Sequence, residues 1–275
     1  MEGVVVKILA GVFTVNTVEG LYDCSVRGKL KLEDIPVVGD NVRVEITATE
    51  AVITSILPRR NILERPKIAN VDQMFIFMAA TSPDPNNYLI DRLTVLGEYW
   101  QLGLIIGFNK IDLKKNNLVN IYRSLGYEVL EFSLANDENL DVISELLKDK
   151  ITVLAGPSGA GKTTLVNQLV GDFRRTGDVS EKSKRGKHTT RVVELIKLPF
   201  GGFIADTPGF SRLDVFLDNP QKLASCFRET KSSSCYFQNC LHLKEPGCSV
   251  REMMSPERYE SYKQLLQEIE EMRPW

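Results

Sequence analysis

The chain has 275 residues, 43% of them hydrophobic and 25% charged, which is ordinary globular composition with room for two or three domains. Its net charge of −2 excludes a global attraction to nucleic acid, so any such surface must be a local patch. No run of eighteen apolar residues exists, and the N-terminus lacks a basic region followed by a long apolar core, so neither a membrane-spanning helix nor a secretory signal is expected.

Residues 1 to about 65 are expected to form β structure. Short β-prone runs fall at 3–10, 12–15, 21–26 and 51–57, and Asn41–Ile46 alternates polar and apolar as a half-buried strand does. Gly11, Gly20, Gly28 and the segment 36–40 punctuate them. Five short strands suit a small barrel, with an OB-fold as the leading choice. Arg27, Lys29 and Lys31 place three cations on one loop, either an oligonucleotide contact or a solvated turn. Residues 58–66, charged and bracketed by prolines, read as a linker.

The pattern then changes. Residues 71–80 are almost all apolar, as in a buried parallel strand. Helical spacing follows over 87–101, a strand at 104–108, a helix at 116–125 ended by Gly126, a strand at 127–132 and a helix at 140–147. This alternation is the α/β signature, and the apolar run 151–155 continues it. Directly after comes Gly156-Pro157-Ser158-Gly159-Ala160-Gly161-Lys162-Thr163, of the form G-x-x-x-x-G-K-[ST], leading through Thr164 into a helical pattern. In that context it is a phosphate-binding loop, not a chance glycine-rich turn. Its backbone N–H groups and the new helix face an anion, Lys162 reaches the β and γ phosphates, and the Thr163 hydroxyl suits Mg²⁺.

Asn109-Lys110-Ile111-Asp112 follows the strand ending at Phe108. Ligands in open α/β sheets gather beyond the carboxyl ends of strands. N-K-x-D there resembles the guanine-specificity motif of GTPases. Asp112 can accept from guanine N1–H and N2, donors that adenine lacks in that arrangement. Asn109 would hold the loop and the purine edge, and the Lys110 stem would cover a ring face. Ser133-Leu134-Ala135 is similar to the S-A-K loop whose backbone N–H supports guanine O6, with Leu134 where alanine is usual.

Beyond the phosphate loop, residues 181–191 are polar and basic and are expected to be mobile; Thr189 or Thr190 would complete the Mg²⁺ shell, and Thr190 is carried as the candidate. An apolar strand then runs into Asp206-Thr207-Pro208-Gly209. Asp206 suits Mg²⁺, and the Gly209 N–H suits the γ-phosphate, which hydrolysis would take away. Ordinary GTPases run phosphate loop, D-x-x-G, N-K-x-D. Here N-K-x-D comes first, so the domain is circularly permuted, which surface-lying termini allow. In the tail, Cys235, Cys240, His242 and Cys248 are spaced C-x4-C-x-H-x5-C, a Cys₃His set for one structural Zn²⁺. Cys226 is expected to be buried and Cys24 to stand alone. Residues 256–272 carry a helical apolar stripe, read as a helix packed on its own domain, with a partner-binding helix as the lesser reading.

These motifs together resemble the RsgA family (also called YjeQ), small-subunit-dependent GTPases of bacteria. The expected fold is an α/β P-loop GTPase domain, circularly permuted (66–215), flanked by an N-terminal OB-fold β-barrel (1–65) and a C-terminal mainly α zinc-binding domain (216–275). The resemblance implies GTP hydrolysis to GDP and phosphate stimulated by the 30S ribosomal subunit, a part in late maturation of that subunit, and contacts to 16S rRNA by the barrel and the zinc domain. It also implies a cytoplasmic protein, expected as a monomer with no membrane partner. Many GTPases place glutamine after D-x-x-G, where this chain has Phe210. The resemblance points instead to His188 as the catalytic group; docking of the basic loop on rRNA through Lys182, Lys184, Arg185 and Lys187 is expected to order the loop and deliver it. Two other classes compete: a scaffold that uses GTP only as a clamp, and an ATP-dependent phosphotransferase using the phosphate loop alone.

Overall fold

The computed structural model describes residues 1–27, 35–64, 66–174, 193–206, 217, 219–231 and 235–271. Most of the basic loop after Arg27, the 181–191 segment with His188, Thr189 and Thr190, and Thr207 to Phe210 lie outside the described residues. The chain forms two compact units that interleave along the sequence.

The first unit holds residues 1–73, 141–154 and 163–209. Five strands, β1 (Glu2–Leu9), β2 (Val12–Thr17), β3 (Leu21–Val26), β4 (Asn41–Ile46) and β5 (Ala51–Ile56), follow the five expected from the sequence. Their order is β1-β2-β3-β5-β4, and β4 pairs back onto β1, so the sheet closes into an OB-like barrel. Alternation explains the closure. Val5, Phe13, Val15, Cys24, Val26, Val42, Val44 and Ile53 point inward and form one buried cluster. Arg27, the described cation of the basic loop, pairs with Glu45 at 2.9 Å.

The supposed linker is partly ordered. β6 (Ile62–Glu64) lies inside it and pairs with β7 (Lys67–Ala69), just beyond its end, as a hairpin. Asn61 closes the hairpin by exchanging hydrogen bonds with the Val71 backbone, at 2.7 and 2.9 Å. Side-chain clips of this kind compensate for strands too short to pair well alone. The same unit contains β11 (Ile151–Ala155, whose last residue belongs to the second unit), β12 (Glu194–Lys197) and β13 (Phe203–Asp206). β11 and β13 are parallel, β12 runs antiparallel to β13, and β12 touches β1 at Lys7 and Glu194.

The second unit holds residues 74–140, 155–162 and 210–275. It contains β8 (Gln73–Ala79, from Met74 on), β9 (Gly103–Asn109) and β10 (Glu128–Glu131), in the order β10-β9-β8. The apolar run of β8 is buried throughout, and Phe77 meets Phe132 edge-on with ring centroids 5.1 Å apart. Helix α1 (Asn87–Tyr99) is capped by Asn86, whose side chain accepts from the Leu89 N–H. Helix α2 (Leu118–Ser124) buries Val119 and Tyr122. Helix α3 (Leu140–Leu147) belongs mainly to the first unit, and helix α4 (Lys162–Arg174) starts at the boundary between the two.

The C-terminal segment from 217 on contains, among its described residues, helices and no strand: α5 (Gln221–Ser225), a 3-10 turn (Arg228–Thr230), α6 (Val250–Met253) and α7 (Pro256–Glu271). Helix α7 buries Tyr262, Leu265, Leu266 and Ile269, the stripe expected from the sequence. It does more than pack on its own segment. Arg258, 3% exposed, reaches Asp91 of α1 and Glu229 of the 3-10 turn, and Glu268 accepts from Tyr88 and Arg92 of α1. Among the described residues no helix is long and apolar enough to cross a membrane.

Candidate functional site

The site is built on the carboxyl end of β9. Asn109, its last residue, is 4% exposed and joins three loops. Its Nδ2 donates to the Ala160 carbonyl of the phosphate loop at 2.9 Å. Its Oδ1 accepts from the N–H groups of Lys110 at 2.8 Å and Leu134 at 3.1 Å. A carboxamide offers both donors and acceptors, so asparagine can satisfy all three backbones at once. The Leu134 N–H expected to face guanine O6 is therefore turned to Asn109 in this structure.

Asp112 lies three residues on, at the start of an exposed loop. Its Oδ1 accepts from the Ser133 hydroxyl at 2.6 Å. That bond fixes the carboxylate in orientation while its remaining lone pairs stay available to a base. Ser133 is buried and held by reciprocal backbone bonds to Glu138, at 3.3 and 2.9 Å, so the loop has little slack. Lys110 adopts φ of +67° and sends its Nζ to the carbonyls of Ser82 and, at 3.1 Å, Gly159.

The phosphate loop has the shape its glycines permit. Gly156 has φ of +144°, and a Cβ there would stand 2.0 Å from the Phe77 carbonyl oxygen. Gly161 has φ of +113°, and a Cβ would stand 2.5 Å from Asn109 Nδ2. Ala160 is fully buried, whereas Pro157, Ser158 and Gly159 face outward to different degrees. Lys162 Nζ donates to the carbonyls of Gly156 and Pro157, each at 2.7 Å. Its ammonium thus sits inside the cradle where phosphate oxygens would replace those carbonyls. Thr163 and Thr164 are exposed in the first turn of α4. Asp206 ends β13, which runs parallel to β11 with Ala205 opposite Val153, so it stands level with Leu154, two residues before Gly156 in the chain.

The tail forms a second centre. The ligand atoms of Cys235, Cys240, His242 and Cys248 all lie within 4.8 Å of one another. Cys235 Sγ and Cys248 Sγ are 3.9 Å apart, and each is 3.4 Å from His242 Nδ1. A tetrahedral ion with Zn–S of ~2.3 Å and Zn–N of ~2.0 Å requires separations of about 3.8 and 3.5 Å, so the donor set fits. Burial holds the His242 imidazole below its usual value, with Glu245 opposing, which favours the neutral ring a metal needs. Glu245 accepts from the N–H groups of Leu241, Leu243 and Lys244 at 2.8 to 2.9 Å and folds the loop around the histidine. Tyr259 and Tyr262 donate to the carbonyls of His242 and Leu241 at 2.8 and 3.0 Å. Cys226 stands outside the cluster, and burial raises its thiol to about 11. Cys24 is raised to about 11 in the same way, with Asp23 adding to burial.

Two family models match this chain: the RsgA GTPase over residues 56–216 and the RsgA N-terminal domain over residues 2–53. The chain belongs to the RsgA GTPase family. It is a GTP hydrolase, and its α/β domain is circularly permuted. A "Small ribosomal subunit biogenesis GTPase RsgA" from Carboxydothermus hydrogenoformans is 47% identical, with 98% of each chain covered. One from Caldanaerobacter subterraneus is 40% identical, covering 98% of this chain and 96% of the relative. Among solved structures, YjeQ from Thermotoga maritima superposes with a TM-score of 0.83 at 31% identity, covering 99% of both chains. YloQ, described as a circularly permuted GTPase, gives 0.80 at 32% identity, covering 100% of this chain and 96% of the other. The RsgA-type order therefore explains why Asn109 and Asp112 precede the phosphate loop in the chain yet share its unit in space. Sequence reasoning missed the Asn109–Ala160 bond and the Ser133 hydroxyl's hold on Asp112. The serine was visible in the motif, but its partner was not.

Proposed function

We propose that GTP hydrolysis by this chain is stimulated by the 30S ribosomal subunit and serves late maturation of that subunit. The observation that carries its GTP-binding part is the guanine corner, where Asn109 ties together the loops of Asp112, Ser133 and the phosphate cradle. The relatives' printed name, at 47% and 40% identity over nearly the whole chain, supplies the small subunit as partner. In this reading Asp112 accepts from guanine, Ile111 and the Lys110 stem flank it, and Gly156 to Thr164 hold the phosphates. Thr163, Thr190 and Asp206 bind Mg²⁺ directly or through water, and Gly209 meets the γ-phosphate. The Mg²⁺ ion would neutralise charge building on the phosphoryl oxygens.

The Cys₃His set takes one structural Zn²⁺, and the barrel and zinc segment contact 16S rRNA. The working division is 1–65, 66–215 and 216–275, in a cytoplasmic monomer. His188 orients the attacking water once the basic segment around it docks on the 30S subunit. Turnover of His188→Ala, with and without purified 30S subunits, tests that role: loss of stimulation is expected, and full stimulation in the variant would remove His188 from catalysis.

A further inference from the structure

Helix α1 is gripped along its length by the C-terminal segment that carries the Cys₃His cluster. In its first half, Tyr88 and Arg92 hold Glu268, the latter at 2.9 Å. Between those two residues, buried Asp91 holds Arg258. Near its end, Glu98 accepts from Arg228 at 2.6 Å and Lys231 at 2.9 Å. The central pair is the most enclosed. Asp91 is 0% and Arg258 3% exposed, and the same guanidinium also binds Glu229. A buried ion pair is weak evidence of stability, because desolvation offsets much of the attraction, and it is better explained by a need to fix geometry.

The geometry it fixes leads to the nucleotide loops by two short routes. The chain entering α1 offers the Ser82 carbonyl to Lys110 Nζ, which also holds Gly159 of the phosphate loop. Tyr122 of α2 donates to Asp91 Oδ1 at 2.6 Å, and α2 begins six residues after Asp112. A shift of α1 therefore displaces the lysine's partner on one side and the base loop's helix on the other. We propose that Arg258 is a positioning residue for guanine-nucleotide binding. By holding α1 and α2 through Asp91, it lets the zinc-bearing segment set nucleotide affinity from outside the pocket. Two discrete settings of such a seam would convert docking of that segment into a change at the phosphate loop, and coupling of this kind is reciprocal. The inference stands on the GTPase site itself and holds whether or not the 30S subunit is the partner.

The test compares full-length Arg258→Ala, Arg258→Lys and wild type, each zinc-loaded, for affinity toward a fluorescent GDP analogue and for kcat and KM of turnover without ribosomes. The control is Ile53→Ala, which opens a cavity in the barrel core, among residues that take no part in the seam. Arg258→Ala is expected to weaken GDP binding and raise the GTP KM at least about fivefold, with Arg258→Lys restoring part of the loss. Ile53→Ala is expected to lower the melting temperature and leave both constants unchanged. Affinities within about twofold of wild type in folded Arg258→Ala, or an equal loss in Ile53→Ala, would overturn the proposal. Should Arg258→Ala not fold, Glu268→Gln decides by the same readout: weakened binding supports it and unchanged binding overturns it.

Discussion

The carboxamide of Asn109 donates to the carbonyl of Ala160 at 2.9 Å across 51 residues of sequence, and the same side chain accepts from Leu134. This single residue connects base loop and phosphate loop. Asn109→Ala would leave a buried carbonyl and a buried N–H unpaired, each costing about 1–3 kcal/mol. The GTP KM should rise at least about tenfold, with the larger share of the loss in binding, read from steady-state kinetics.

In the proposed reading, Asp112 selects the base and Ser133 holds the carboxylate in orientation. Asp112→Asn removes the acceptor for guanine N1–H and N2 and supplies a donor that suits the carbonyl of xanthine. GTP affinity should fall about a hundredfold or more while xanthosine triphosphate gains. Ser133→Ala, which only frees the carboxylate, should cost about tenfold. Competition binding with GTP, XTP and ATP reads all three. Unchanged ATP binding alongside unchanged GTP binding in Asp112→Asn would reject guanine recognition by this residue.

The glycines of the phosphate loop are not equivalent. An alanine at Gly156 would place its Cβ 2.0 Å from the Phe77 carbonyl oxygen, with φ at +144°. At Gly159, φ is +80° but the nearest atom is 3.7 Å away. Gly156→Ala should abolish nucleotide binding and lower the melting temperature. Gly159→Ala should retain the fold at a cost of about 1–2 kcal/mol, the left-handed backbone penalty alone.

The strong alternation of Asn41–Ile46, the phosphate loop, N-K-x-D and the Cys₃His spacing are all local patterns, and each was legible in the sequence. What was not legible depends on partners far along the chain. β6 and β7 are three residues each, too short for a period, and hairpin closure rests on Asn61 reaching Val71. β12 has four residues and is defined by pairing with β13 and by Lys7 opposite Glu194. Arg258 reads as an exposed helix position, and only Asp91 and Glu229, 167 and 29 residues away, make burial tolerable. The orientation of the Leu134 N–H depends on Asn109, not on the residue that replaces alanine.

The five cysteines divide into three that share the Cys₃His cluster and two, Cys24 and Cys226, that are buried outside it. Cys24 is 1% and Cys226 4% exposed, and burial raises both thiols to about 11, so neither should react at pH 8 in the folded protein. With zinc bound, a thiol reagent should find almost no fast-reacting group. A strong chelator should expose three, and denaturant all five. Purified protein should carry about one Zn²⁺ per chain. Release of all five thiols by the chelator alone would mean that metal loss unfolds the whole chain.

The stimulation of GTP turnover by purified 30S subunits tests the account most directly. Full-length protein, assayed at saturating GTP, should hydrolyse at least about tenfold faster with 30S subunits than alone, a barrier change of about 1.4 kcal/mol. Equal turnover in the two conditions would contradict it.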